Sequence, residues 1–189
     1  MEEEKLLEYK MYFFTIYQLT GIQAGIQCGH AALEYANKYG SDEEFIIFVR
    51  NWKTWIILNG GTTNERRDIE GIVMGSLNQI ADDLQQNDIQ FSYFQEPDLN
   101  DALTALCFIV DERVFNRKDY PDFVDYILDI KMYPEAKEAA PAENIIMLKT
   151  QSMEKLQEMF PEYYKEWVRF IGGIKNVFLR ELIRDKKLA

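Results

Sequence analysis

Apolar and polar positions alternate in two different rhythms along the first 110 residues. Residues 11–19 (MYFFTIYQL) are a continuous aromatic and β-branched run, as expected of a strand buried on both faces. Residues 21–39 then follow a helical period, and Gly40 ends them. Ser41 is placed to cap a second helix reaching about residue 51, with Glu44 at the capping-box position. Residues 53–58 (KTWIIL) read as the second strand and 59–64 (NGGTTN) as a flexible loop. Residues 65–75 fit neither period. Residues 76–87 predict a helix with Leu77, Ile80, Ala81 and Leu84 on one face. Residues 91–94 give a third strand, 96–101 a turn built on Pro97, and 103–110 (LTALCFIV) a fourth strand. Strands exchanged with helices predict an α/β domain, its parallel or mixed sheet covered on both sides. Ligands in such sheets sit beyond the carboxyl ends of strands, which points to residues 19–23 and 95–98.

The rhythm changes after Asn116. Phe123, Ile127 and Leu128 recur at helical spacing, and 134–143 (PEAKEAAPAE) has a linker's composition. Residues 161–187 predict a helical pair broken at Gly172-Gly173. Its apolar stripe includes Trp167, Phe170, Ile171, Ile174, Phe178 and Leu182. The organisation is therefore an acidic leader (1–10), an α/β domain (11–116) and a helical C-terminal extension (117–189). The extension is expected to dock on the domain or on a second copy, which makes a homo-oligomer one partner class.

On the helical wheel of 21–39, Gly21, Gly25, Gly29, Ala32 and Ala36 share one side, and Gln23, Gln27, His30 and Glu34 share the opposite side. Glycines allow close approach, so the glycine side is expected to lie on the sheet. The other side shows two amides, the chain's single histidine and a carboxylate, without Lys or Arg. An imidazole suits acid–base work or hydrogen bonding to a ligand, and the plain alternative is a histidine tying the helix to a loop. Gln23 and Gln27 offer neutral hydrogen bonds to a phosphate, ribose or amide, or simply face water. Glu96 and Asp98 flank Pro97 at a strand end. There a carboxylate can activate water, with Thr104 orienting it and Asn100 contacting ligand, or the turn is local chemistry alone. Asn59-Gly60-Gly61 lacks the spacing of a phosphate cradle, and Arg66-Arg67 reads as a solvated pair.

Charge and cysteine content narrow the classes. The net charge is −11, and the imbalance lies wholly in residues 1–116, with 8 Lys/Arg against 19 Asp/Glu; residues 117–189 hold 13 of each. Nucleic acids are held largely by Lys and Arg, so an acidic domain is a poor starting point for docking one. One histidine and two isolated cysteines argue against a metal site, and no cofactor is expected. No apolar run reaches the roughly 18 residues of a membrane span. The acidic start lacks a signal peptide's order, and a cytoplasmic location is expected.

Three stretches resemble the type II peptidyl-tRNA hydrolase family. They are residues 23–32 (QAGIQCGHAA), residues 55–58 (WIIL), and residues 94–100 (FQEPDLN) followed by Leu103-Thr104-Ala105. The Glu-Pro-Asp then Leu-Thr-Ala form is similar to a divergent branch from bacterial and phage genomes, as are residues 176–180 (NVFLR) and the terminal Lys-Leu-Ala. The resemblance covers about 11–112. It implies a three-layer α/β/α fold whose four-stranded mixed sheet has one antiparallel edge strand. It also implies hydrolysis of the ester joining a peptide to tRNA, near His30, Glu96, Asp98 and Thr104, with tRNA or a nucleotide-like molecule as ligand. The chain departs from the family's Gly-Lys-Gly-Lys segment, having Thr20-Gly21-Ile22-Gln23, and from its Asp-Ala-Gly-x-Thr turn, having residues 92–96 (SYFQE). A non-catalytic binding or assembly protein on the same fold is the alternative.

Overall fold

The computed structural model describes residues 6–68, 71–128 and 148–189. These residues group into two compact units: residues 6–112 with Glu181–Ala189, and Arg113–Arg180. The linker expected at 134–143 lies outside the described residues.

In the first unit, β1 (Tyr9–Ile16) is joined to β2 (Thr54–Gly61) through α1 (Gly21–Tyr39), the short α2 (Glu43–Ile47) and a π-helical turn, Phe48–Trp52. The crossover makes β1 and β2 parallel. Residues 65–75, without a clear pattern in sequence, form a hairpin of β3 (Glu65–Asp68) and β4 (Gly71–Met74). The side chains of Arg66 and Arg67 lie outside the described residues. Then come α3 (Ser76–Gln86), β5 (Phe91–Glu96), one 3-10 turn (Pro97–Leu99) and β6 (Ala102–Asp111). The main sheet runs β2-β1-β6-β5. The antiparallel strand is the inner β6, which opposes both β1 and β5, and not an edge strand as the resemblance implied. Two facts account for this. The tight 97–101 turn forces β6 to double back on β5. All ten residues of β6 are buried, so the strand belongs in the middle of the sheet.

Alternate residues of β1 face opposite ways. Met11 and Phe13 pack with Cys28, Ala31 and Tyr35 of α1, while Phe14 lies toward Leu77 of α3 at Gly60. Helices thus cover both faces, giving the three-layer α/β/α arrangement. The glycine side of α1 does not lie on the sheet. Its buried positions are Ala24, Gln27, Cys28, Ala31 and Tyr35, and a Cβ added at Gly21, Gly25 or Gly29 would meet nothing within 4 Å. Burial follows apolar volume. Ala, Cys and Tyr fill the space above Phe13 and Cys107, whereas a glycine stripe would leave voids there.

The 59–64 segment is not a free loop. Thr62 and Ser76 exchange hydrogen bonds, from Thr62 N to Ser76 Oγ (2.9 Å) and from Ser76 N to Thr62 Oγ1 (3.2 Å). Gly61 N is held by Asn59 Oδ1 at 2.8 Å. Those amides are spent internally. Gly60 lies so close to α3 that a Cβ would come within 2.7 Å of Leu77 Cδ1. The last residues return to the edge of β2. Asn59 N donates to Lys187 O (2.9 Å), Ala189 N to Ile57 O (3.1 Å), and Leu58 bridges Leu188 antiparallel.

The second unit is helical in its described parts, with helices at Phe123–Tyr126, Met153–Met159 and Pro161–Phe170 and most of Ile174–Ile183. Its core joins Phe123, Tyr126, Ile127, Leu156, Trp167 and Ile171. The stripe expected at Ile174, Phe178 and Leu182 is not the buried one. Val177, Leu179 and Arg180 are buried, while Ile174 is 65% exposed. Arg180 sets this rotation. Its guanidinium is enclosed and donates to Arg113 O (2.6 Å), Tyr120 O (2.9 Å) and Asp122 Oδ1 (2.6 Å). No helix among the described residues is long and apolar enough to cross a membrane.

Candidate functional site

The candidate site forms where β5 ends and β6 begins, the end of the sheet to which β1 also runs. Strand pairing passes from Phe94 opposite Ala105 to Gln95 opposite Leu103, so Thr104 is an extra residue on β6. Such a bulge re-aims a side chain that strict alternation would send to the other face. Thr104 is turned toward α1. Its hydroxyl is 2.5 Å from Gln27 Oε1 and 3.3 Å from the Phe94 carbonyl oxygen. The same amide donates from Nε2 to Glu96 Oε2 at 2.7 Å.

These contacts form one directed chain. The Thr104 hydroxyl donates to the Gln27 carbonyl oxygen, and the Gln27 NH2 donates to the Glu96 carboxylate. Gln27 is only 8% exposed and Thr104 fully buried, so neither bond competes much with water. The arrangement fixes which way the amide points and holds one carboxylate oxygen of Glu96. The glycine-poor flank of α1 thus supplies one working residue, and burying that amide is affordable only because both its ends are satisfied.

His30, one turn after Gln27, is exposed. Its ring stacks on Phe94 with centroids 4.4 Å apart and an interplanar angle of 22°. Phe94 and Glu96 lie on the same face of β5, so the ring platform and the carboxylate are neighbours along one strand. Gln23 sits elsewhere in the economy of the helix. It completes the capping box of α1, with Oε1 accepting from Thr20 N (3.0 Å) and from Thr20 Oγ1 (3.0 Å). Asp98 and Asn100 are exposed in the turn after Glu96. Asn100 holds a left-handed backbone (φ 54°), a conformation its short amide tolerates. Among the described residues, no hydrogen bond carries either of them onto the Thr104–Gln27–Glu96 chain.

Cys28 and Cys107 are buried, in surroundings that disfavour the thiolate form. Burial pushes the Cys28 thiol up to about 12 and raises Cys107 further, and Cys107 Sγ donates to Ala31 O at 3.3 Å. Sequence reasoning passed over Phe94 as a platform, although its two-residue offset from Glu96 was the available signal. It also passed over Thr15. This residue is fully buried opposite Ala105, and its hydroxyl has no hydrogen-bond partner among the described residues. Chemically, the site offers a held carboxylate able to take a proton from water, an imidazole able to donate to or accept from a ligand, and a hydroxyl already spent on positioning. No protein-family model matches the chain, and no curated protein matches it.

Proposed function

We propose that the chain is an ester hydrolase of the peptidyl-tRNA hydrolase type. Glu96 takes a proton from water as the water oxygen attacks the ester carbonyl. His30 meets the developing oxyanion or the leaving ribose oxygen. The acyl C–O bond then breaks, the proton passes to the leaving oxygen, and a peptide acid and a free hydroxyl result. Gln27 and Thr104 are positioning residues, aiming the carboxylate. The observation that supports this reading is the 2.7 Å bond from a buried Gln27 amide to Glu96, beside an accessible imidazole. The same four residues also carry the sequence resemblance.

One observation favours the alternative of a binding protein on this fold. Gln23, which stands where the family has a lysine, is occupied in capping α1. Release of N-acetyl-aminoacyl acid from N-acetyl-aminoacyl-tRNA decides between the two. The wild type should release it, Glu96→Gln should lose the reaction, and Thr104→Val should lower kcat by about 10- to 100-fold with KM little changed. A folded wild type that gives no release would favour the binding reading.

A further inference from the structure

The exposed side of α1 carries a feature that the hydrolytic site leaves unused. A depression of about 400 Å³ lies over Gly29, lined by Ile26, His30, Ala32, Leu33 and Trp55. A second cavity of about 390 Å³ shares Ala32 and Trp55 with it and extends past Phe45 and Val49 to Lys53. Ala32 and His30 are on opposite flanks of the helix, about 160° apart at 100° per residue, with Gly29 between them. The groove therefore crosses α1 at Gly29 like a saddle. Its lining includes His30 on one flank and Trp55 with Ala32 on the other. A Cβ at Gly29 would meet nothing within 4 Å, so any larger side chain would stand up in the groove.

Lys53 is the Lys or Arg of the described lining, which holds no Asp or Glu, although the surrounding domain is strongly acidic. Large apolar groups stay in water along it. Ile26 is 53% exposed, Leu33 70% and Trp55 42%. Each of the two volumes lies within the range of small-ligand sites. Resting on the ester-hydrolase reading, the substrate has two halves, a polyanionic one and an acyl one. An acidic domain repels the first, and this groove matches the second.

We propose that the groove binds the acyl half of the substrate, an apolar N-blocked amino acid or short peptide. Its ester end lies by His30 and its preceding residues cross Gly29 toward Trp55. Recognition of the substrate then comes mainly from the peptide. A second copy of the chain is a poorer occupant, because each copy carries the same net negative charge.

The test uses N-acetyl-Leu-Leu-amide and N-acetyl-Asp-Asp-amide, neither of which has an ester to hydrolyse, with the full chain. The indole N–H resonances of Trp52, Trp55 and Trp167 are followed by NMR. The leucyl peptide should shift Trp55 selectively and saturably, and the aspartyl peptide should not. Gly29→Leu, which fills the saddle, should raise the Kd at least 10-fold. Ile26→Glu, at an exposed position, should do the same should the first variant fold poorly. Equal shifts from both peptides, or undiminished binding in both variants, would overturn the proposal. So would a Trp55 shift that appears on concentrating the protein alone, since a second copy would then be the occupant. Leucyl binding without any ester release would leave the groove assignment standing and remove the hydrolase reading. Ester release with equal kcat/KM for leucyl and aspartyl substrates and no Trp55 shift would do the reverse.

Discussion

Replacing Gly25 and Gly29 by alanine should stabilise the protein, and the size of the effect follows from the placement of α1. Both glycines lie in the interior of a 19-residue helix, where glycine is less favourable than alanine by about 1 kcal/mol. A Cβ at either position meets no atom within 4 Å, so no packing penalty offsets the gain. The double variant should gain about 2 kcal/mol. For a chain of this size that corresponds to a rise in Tm of roughly 4–8 °C. Thermal unfolding followed by far-ultraviolet circular dichroism reads it directly, and the single variants should each show about half. If the glycine side lay against the sheet, the added methyls would overpack it and the double variant would lose about 1–3 kcal/mol. A loss of that size would refute the helix orientation and, with it, the groove over Gly29.

Other outcomes follow from named contacts. Thr15→Val removes a buried hydroxyl that has no hydrogen-bond partner among the described residues and keeps the side-chain shape, so stability should rise by about 1–2 kcal/mol in urea unfolding; a loss would show that the hydroxyl holds a partner. Arg180→Ala strands the carbonyls of Arg113 and Tyr120 and weakens the hold on Asp122, and should cost about 3–5 kcal/mol. A near-neutral result would mean that the guanidinium is not enclosed. Burial raises the Cys28 pKa to about 12, above its value in the unfolded chain. The unfolded chain therefore binds fewer protons above pH 9, and the stability due to this thiol is full below that pH and falls as pH rises toward 12. Stability measured at pH 8 and 10.5 should drop less in Cys28→Ala than in the wild type, and equal drops would show that the thiol is not shielded.

The order of strands and helices was legible because each carries its own signal. The unbroken apolar run of β6 marked a buried strand, and the period over roughly 21–39 marked α1. The rotation of α1 was not legible. Small residues on one side and polar ones on the other suggested two faces, yet the sheet takes the flank between them, where Cys28 and Tyr35 supply volume. The direction of β6 depended on the length of the 97–101 turn, and hydropathy is blind to strand direction. Gln27, Glu96 and Thr104 stood out by residue type and by the family resemblance. The bulge that brings Thr104 to Gln27 left no trace in LTALCFIV, because a one-residue slip changes no side chain. Gln23 was a capping residue three positions after a threonine, a pattern present in the sequence and read instead as ligand chemistry.

The pairing of residues 187–189 with the edge of β2 ties the assembly of the fold to its order of synthesis. Leu58 finds its partner in Leu188, with the whole 113–180 unit emerging between them. Contacts so distant in sequence close late, after the local turns and hairpins have formed. Until the 181–189 segment arrives, the backbone groups of Asn59 and Ile57 that it will engage are an open template for another chain. During that interval the growing polypeptide depends on the inserted helical unit folding promptly and delivering its own downstream segment. A delay there lengthens the time over which two nascent copies can pair through β2. Slow steps within 113–180 should therefore appear as aggregation of the α/β unit, a fault arising far from the strand that bears it.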